Sequence, residues 1–383
     1  MVLAFGTTSA LALGSIAWRD AETRALLAHV RTALERTSFA AQARFSCVIK
    51  GEPVQVAMVL EHWHDAPGGP HTRTRDVQVV EASAEMRRWF ELFARHPGGP
   101  SWGWRPDRLP LDEERVLDNY WVRVQDAAPR DGRATVEIAI APRRPFRPRA
   151  ALLVDRATGV PLELSLYSHT GALEHAGQLA SVRMGAPDGP PPTDAPFALR
   201  KPIDRTAALA IAPGLLEPRV LPAGYALAGY YSHEHPPWRG GDRRHGRGRP
   251  GSGSDSPGSG SDGEPERPAP SPRKSSVRIE YGDGLARLFL VQLDGDAPKP
   301  PHDKPPSHGG KDRAPRPASR QILRGDLAID VDELGGRTMA RTRIGTVRVM
   351  IAGMASPDEL ADCLASMLPD PVADPSATSA EGR

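Results

Sequence analysis

Two histidine pairs, His62-Trp-His64 and His233-Glu-His235, have the spacing in this chain that most resembles metal-ligand spacing. On a strand, residues two apart share a face, which is the arrangement two imidazole ligands need. Neither pair has a third ligand at a telling distance along the chain. Polar strand residues and a solvated loop are the plainer readings, and no metal site is expected. Asp112, Glu113 and Glu114 adjoin Arg115, a pattern of a solvated loop or a helix start more than of an acid/base pair. Cys47 and Cys363 stand at opposite ends of the chain and read as two buried thiols. A bridge between them would require the fold to bring them within reach. The sequence has no Gly-rich phosphate loop, G-x-S-x-G elbow, H-E-x-x-H or paired-cysteine zinc signature. The reading is non-enzymatic, with no cofactor.

The aromatic residues are more suggestive. Trp89, Phe90, Trp102, Trp104 and Trp121 lie close together in a chain with seven tryptophans in all. Tryptophan offers a ligand large apolar contact at low entropic cost, so these five are the candidates for lining an apolar cavity. Core packing is the competing reading for any one of them. Arg239, Arg243, Arg244, Arg247 and Arg249 form a basic run, but Asp255, Asp262, Glu264 and Glu266 follow it, as in a solvated linker. Formal net charge is only +2, so no global field favours nucleic acid, and none is expected as a partner.

The elements that would position these residues follow from periodicity. The chain of 383 residues has room for two or three domains, while its 40 prolines, 37 glycines and 39% hydrophobic content imply unpacked stretches. Residues 1–17 are apolar and end in Ser15-Ile-Ala17, small residues at the positions of an export-signal cleavage site, although no basic residue precedes them. Leu26, Leu27, Val30, Ala33 and Leu34 predict a helix over 20–37. Strands follow at 39–49, 54–64 and 72–80, and a short helix is predicted at 85–95 from Met86, Trp89, Phe90 and Phe93. The clearest hairpin joins 150–155 to 161–167 through Asp155-Arg-Ala-Thr-Gly159, with glycine where a left-handed residue must turn the chain back. Such a series of short strands and turns describes an antiparallel meander.

A first domain over 20–185 is expected to give way to a proline-rich linker at 186–216, then to a small α+β domain over 217–368. Two segments inside that second domain, 240–275 and 297–318, have the composition of disordered insertions at hairpin tips, as does the tail at 369–383. Ser356, Pro357 and Glu359 form a capping box for a last helix whose stripe is Leu360, Cys363, Leu364 and Met367.

Three stretches resemble the RseB/MucB family, whose larger domain is similar to the lipoprotein carriers LolA and LolB. They are Thr37-Ser-Phe-Ala-Ala-Gln-Ala-Arg-Phe45; Leu153-Val-Asp-Arg-Ala-Thr-Gly-Val-Pro-Leu162 with the turn Gly171-Ala-Leu-Glu174; and Leu221-Pro-Ala-Gly-Tyr225 with Tyr281-Gly-Asp-Gly-Leu285 and the ending from Gly345 to Met367. The resemblance implies a β-rich α+β fold: a curved, LolA-like antiparallel sheet, or half-open barrel, wrapped around helices, plus a small C-terminal α+β domain. It implies a periplasmic location and, as partner, the periplasmic region of an anti-sigma factor. It also implies an apolar concave cavity for an acyl chain, so a lipid or lipoprotein carrier is the alternative to a sensor. No residue of the family's partner contacts can be carried over, and the interrupted small domain departs from the family pattern.

Overall fold

The computed structural model describes residues 20–49, 52–66, 70–84, 86–87, 111–191, 200–234, 275–294, 319–334 and 336–368. The predicted leader, most of the helix predicted at 85–95, and nearly all of both insertions and the tail lie outside these residues. The described residues are β-rich, with sixteen strands in two eight-stranded antiparallel sheets.

Helix α1 (Asp20–Thr32) and a 3-10 turn (Ala33–Glu35) lead into β1 (Phe39–Ile49), β2 (Glu52–Trp63) and β3 (His71–Glu81). Helix α2 (Glu113–Asn119) then opens β4 (Tyr120–Arg130), β5 (Arg133–Pro142), β6 (Arg149–Asp155), β7 (Pro161–Tyr167) and β8 (Leu173–Met184). The sheet order is β3-β2-β1-β8-β7-β6-β5-β4, so the sheet is open, with β3 and β4 at its two edges. Strand alternation sends Phe39, Ala41, Ala43, Phe45 and Cys47 of β1 to one face, joined there by Val54, Val56, Met58 and Leu60 of β2. Val136, Ile138 and Ile140 of β5 and Ala150, Leu152 and Val154 of β6 continue that apolar face and receive Leu27 and Val30 of α1 with Val116 of α2. Burying each such side chain is worth about 1.5–3 kcal/mol, which is how an amphipathic helix comes to be held on the sheet. Irregular pairing within β1–β8 and β2–β3 marks bulges, which bend and twist a sheet locally.

The second sheet is not small. It contains β9 (Arg200–Ile203), β10 (Ala226–Glu234), β11 (Ser275–Gly282), β12 (Arg287–Asp294), β13 (Arg320–Arg324), β14 (Leu327–Leu334), β15 (Arg337–Ile344) and β16 (Val347–Gly353), in the order β13-β14-β15-β16-β12-β11-β10-β9. Helix α3 (Arg205–Ile211) places Ala208 in its core, and α4 (Pro357–Ala365) contributes Leu360, Ala361, Cys363 and Leu364. The capping box of α4 is present: Ser356 Oγ accepts from the Glu359 amide at 3.1 Å, and the Glu359 carboxylate accepts from the Ser356 amide at 2.9 Å. Strand β9 and helix α3 arise inside the stretch read as linker. They are four and seven residues long, so neither shows a period that composition does not mask. No described helix is long and apolar enough to cross a membrane.

The β6–β7 turn is built as its residues suggest. Asp155 Oδ1 accepts from the amides of Ala157 and Thr158 at 2.9 and 3.0 Å, and Gly159 takes φ +74°. A Cβ at Gly159 would lie 2.7 Å from the carbonyl oxygen of His29 in α1, whereas one at Gly171 (φ +86°) would meet nothing. Both alanine substitutions therefore carry left-handed strain of roughly 1–2 kcal/mol, but only Gly159→Ala must also displace α1. Urea unfolding should find Gly159→Ala the more destabilised by at least ~1 kcal/mol; equal losses would show that α1 does not bear on this turn.

Candidate functional site

The residues with the most buried polar chemistry lie where the two sheets meet. Helix α2 ends at Asn119 and β4 begins at Tyr120, so this join presents an amide and a phenol side by side. Opposite them is the β11–β12 turn, Asp283-Gly-Leu-Ala286. Asp283 Oδ1 accepts from the amides of Leu285 and Ala286 at 3.0 and 2.7 Å, which shapes the turn. Tyr120 Oη donates to Asp283 Oδ2 at 2.6 Å, and Asn119 Nδ2 donates to the carbonyls of Asp283 and Gly224 at 3.0 and 3.1 Å. The turn thus carries Leu285 into the core formed by α1, α2 and β4–β6. The approach is close: a Cβ on Gly284 (φ +104°) would lie 2.5 Å from the Val116 amide nitrogen, and one on Gly224 (φ +89°) would overlap the Asn119 side chain.

Arg147, in the connection from β5 to β6, completes the junction. Its side chain is 2% exposed. It donates to both carboxylate oxygens of Glu359 at 2.8 and 3.1 Å, to the Ala223 carbonyl at 3.0 Å and to the Met354 carbonyl at 3.4 Å. Its Nε lies 3.6 Å from Asp283 Oδ2, and its guanidinium stands 4.8 Å from the centre of the Tyr225 ring. Tyr225 in turn donates to the Met354 carbonyl at 2.8 Å. One guanidinium therefore joins the first sheet to the 221–225 loop, the β11–β12 turn and the start of α4.

The electrostatics are those of a structural clamp. Burial raises the Asp283 carboxyl, against the Tyr120 hydrogen bond, the turn amides and the Arg147 charge. Burial also raises the Glu359 carboxyl, but the hydrogen bonds from Arg147 and the Ser356 amide outweigh it and hold the group below its ordinary value. The Tyr120 phenol is raised by burial and by Asp283, so it stays protonated and donates. The pH consequences are opposite for the two acids. Glu359 adds stability above the ordinary glutamate range and loses it as pH falls through its depressed value; Asp283 opposes stability as pH rises through its raised value. Every one of these groups faces another within the protein.

The residues singled out by sequence are distributed differently. His62 is buried, with Nε2 against the Leu34 carbonyl at 2.7 Å and Nδ1 against Thr72 Oγ1 at 2.8 Å, so both ring nitrogens are engaged structurally. His64 Nδ1 meets Ser38 Oγ at 2.8 Å. Asp112 is the N-cap of α2, accepting from the Arg115 amide at 3.2 Å. Among the described residues no three metal-ligating side chains gather. Cys47 sits in the core over β1–β3 and Cys363 in that of the second sheet, both unbridged, with thiols pushed by burial up to about 11 and about 12.

Trp121 departs from its expected role. Tyr120 and Val122 point into the core, so alternation turns Trp121 to the opposite face, where it is 50% exposed and the Arg143 guanidinium stacks 4.1 Å from its ring centre. Trp89, Phe90, Trp102 and Trp104 lie outside the described residues. The flanks of that stretch are placed: Met86 is buried in the β1–β3 core and Leu111 in the β4–β6 core.

No protein-family model matches the sequence, and no curated protein matches it. Solved structures of MucB and of LolA-superfamily proteins are among those similar to this chain. The Pseudomonas aeruginosa MucA/MucB complex covers 89% of this chain and 96% of its own, at 15% identity and a TM-score of 0.41. MucB alone covers 90% and 97%, at 16% identity and a TM-score of 0.40. A LolA-superfamily protein from Nitrosomonas europaea covers 44% of this chain and 94% of its own, at 12% identity and a TM-score of 0.18.

The Arg147 junction was not singled out from sequence. Its signal was indirect: Leu221-Pro-Ala-Gly-Tyr225 and Tyr281-Gly-Asp-Gly-Leu285 are the two motifs that converge on it. Replacing Arg147 by Met leaves Asp283 buried without its cation and should destabilise the fold by roughly 3–5 kcal/mol. In urea unfolding, Arg147→Met/Asp283→Asn should lose less than the sum of the single losses. Additive losses would mean that Arg147 and Asp283 are not coupled.

Proposed function

We propose that this chain is a non-enzymatic binding or sensor protein of a bacterial cell envelope, akin to RseB/MucB, whose first sheet takes an apolar ligand or a partner peptide. The observation that carries this reading is the open eight-stranded sheet with one apolar face running from β3 to β4. Helices α1 and α2 occupy the β4–β6 end of that face. Over β1–β3 the face is buried, with Ala33, Leu34, Met86 and Val160 among the residues packed on it. Apolar surface of this kind suits an acyl chain or the apolar side chains of a peptide. We assign the ligand contacts to Trp89, Phe90, Trp102 and Trp104, in the stretch between Met86 and Leu111; Trp121, on the far face, is left out.

The reading extends to partner and place. The chain works in the periplasm, and its peptide partner is the periplasmic region of an anti-sigma factor, with the second sheet held by the Arg147 junction as the support or readout of binding. Its support is the sequence resemblance; buried carboxylates such as Glu61, with Arg73 and Arg75, and Glu280, with Arg278 and Arg287, are spent on pairs within the protein. A lipid or lipoprotein carrier would use the same face, and the experiment separates the two.

Native mass spectrometry of the full chain purified from an envelope fraction, followed by organic extraction, should reveal a bound acyl-chain species. Trp89→Ala/Trp102→Ala should lose that species with circular dichroism unchanged. Transfer of the species from vesicles into solution would favour the carrier. Slower proteolysis of an anti-sigma periplasmic peptide, without transfer, would favour the sensor. A ligand-free protein that binds no such peptide would overturn the proposal.

A further inference from the structure

A second contact between the sheets, remote in sequence from the Arg147 clamp, is built in the opposite way. Gly336 (φ +79°), in the β14–β15 turn, packs against the β7–β8 end of the first sheet so tightly that a Cβ there would overlap Ser168 and lie 2.6 Å from Glu174 Oε1. Glu174 is only 7% exposed, and neither of its carboxylate oxygens has a hydrogen-bond partner. The cation it faces, Arg337 Nε, is 3.6 Å away on a side chain that is half exposed. Ser168 Oγ, which also borders Gly336, is engaged with Thr170 Oγ1 at 2.7 Å and the Ala172 amide at 3.2 Å. A buried carboxylate whose one partner is a long ion pair to a half-exposed arginine loses its hydration and recovers only part of it.

We propose that the Glu174–Gly336 contact is a sprung joint: closing the sheets there desolvates Glu174, so the two sheets hinge open at this end about the Arg147 junction. Separation returns water to Glu174 and frees Arg337, while Arg147, with its bidentate carboxylate and two carbonyls, keeps the other end together. The inference concerns the two sheets themselves and holds whatever the apolar face binds.

Two groups set its pH response. Glu174 is raised by burial, which exceeds the pull of Arg337, so protonation favours the closed joint. His175, beside it on β8, stacks on Phe45 and accepts from Arg337 at 3.1 Å through Nε2. Burial, then the Arg337 charge, lowers it to about 4, so it favours closure above its ordinary value and opposes it as pH falls toward that lowered one. Cys47 faces His175 from β1, its thiol raised by burial, and His169 in the β7–β8 turn lies against Phe146.

The test is a distance between spin labels at Ala172→Cys and Glu333→Cys, exposed positions on either side of the joint in the full chain, with Cys47 and Cys363 buried and unlabelled. The parent protein should show a short distance and a second, longer one. Glu174→Gln and Glu174→Leu should shrink the longer population several-fold, and Gly336→Ala should enlarge it by wedging the contact. In a His175→Phe background, lowering the pH toward the ordinary glutamate range should shift the population toward the short distance. A single distance unmoved by any variant, or a longer population that grows when Glu174 is replaced, would overturn the proposal.

Discussion

The arrangement depends on one guanidinium placed where water cannot reach it. A buried arginine is stable only if its donors are satisfied and its charge is matched, and those two demands account for much of the surrounding structure. Glu359 must be at the start of α4, so the capping box does two jobs: it begins the helix and aims its carboxylate at Arg147. The 221–225 loop must present the Ala223 carbonyl, and the tight approach at Gly224 lets Asn119 bond there. Asp283 must lie near, and its turn then delivers Leu285 into the other sheet's core. Polar matching and apolar plugging thus specify the same docking geometry from two directions.

Within each sheet the logic is simpler. Every paired strand is antiparallel, and most neighbours follow one another in the chain. The exceptions are informative. In the first sheet β1 lies beside β8, which brings the meander back beside its start and leaves β3 and β4 as edges. The described chain leaves the apolar face at Met86 on one flank and rejoins it at Leu111 on the other. The sheet is therefore open, with α1 and α2 packed on the half nearest the junction.

Legibility in the sequence followed the range of the interactions. The β6–β7 hairpin and the α4 cap could be read because their partners lie within five residues of one another, at Asp155 to Gly159 and Ser356 to Glu359. The clamp could not. Arg147 sits in Arg143-Arg-Pro-Phe-Arg-Pro-Arg149, which reads as a basic loop, and its partner Glu359 is 212 residues away. Asp283 was visible in a motif, but nothing local says that its side chain would be buried against Tyr120. The face on which Trp121 lies was not legible from aromatic clustering, because strand alternation sends neighbours to opposite faces. Strand β9 and helix α3 were hidden because a proline-rich composition masks elements this short.

The two contacts between the sheets show why an ionic junction differs from an apolar one. Two apolar surfaces fix orientation weakly, since the hydrophobic effect is non-directional. The Arg147 site differs: a shift that breaks its bidentate pair with Glu359 leaves charge buried, so position and orientation are set together. A junction of that kind can act as a pivot because its own geometry resists drift while the rest of the interface is free to differ. The Glu174 end, where a half-exposed Arg337 spans a long 3.6 Å pair to the buried carboxylate, is restrained less. Placing a bidentate buried pair at one end and this weaker pair at the other gives the relative motion of the sheets a direction.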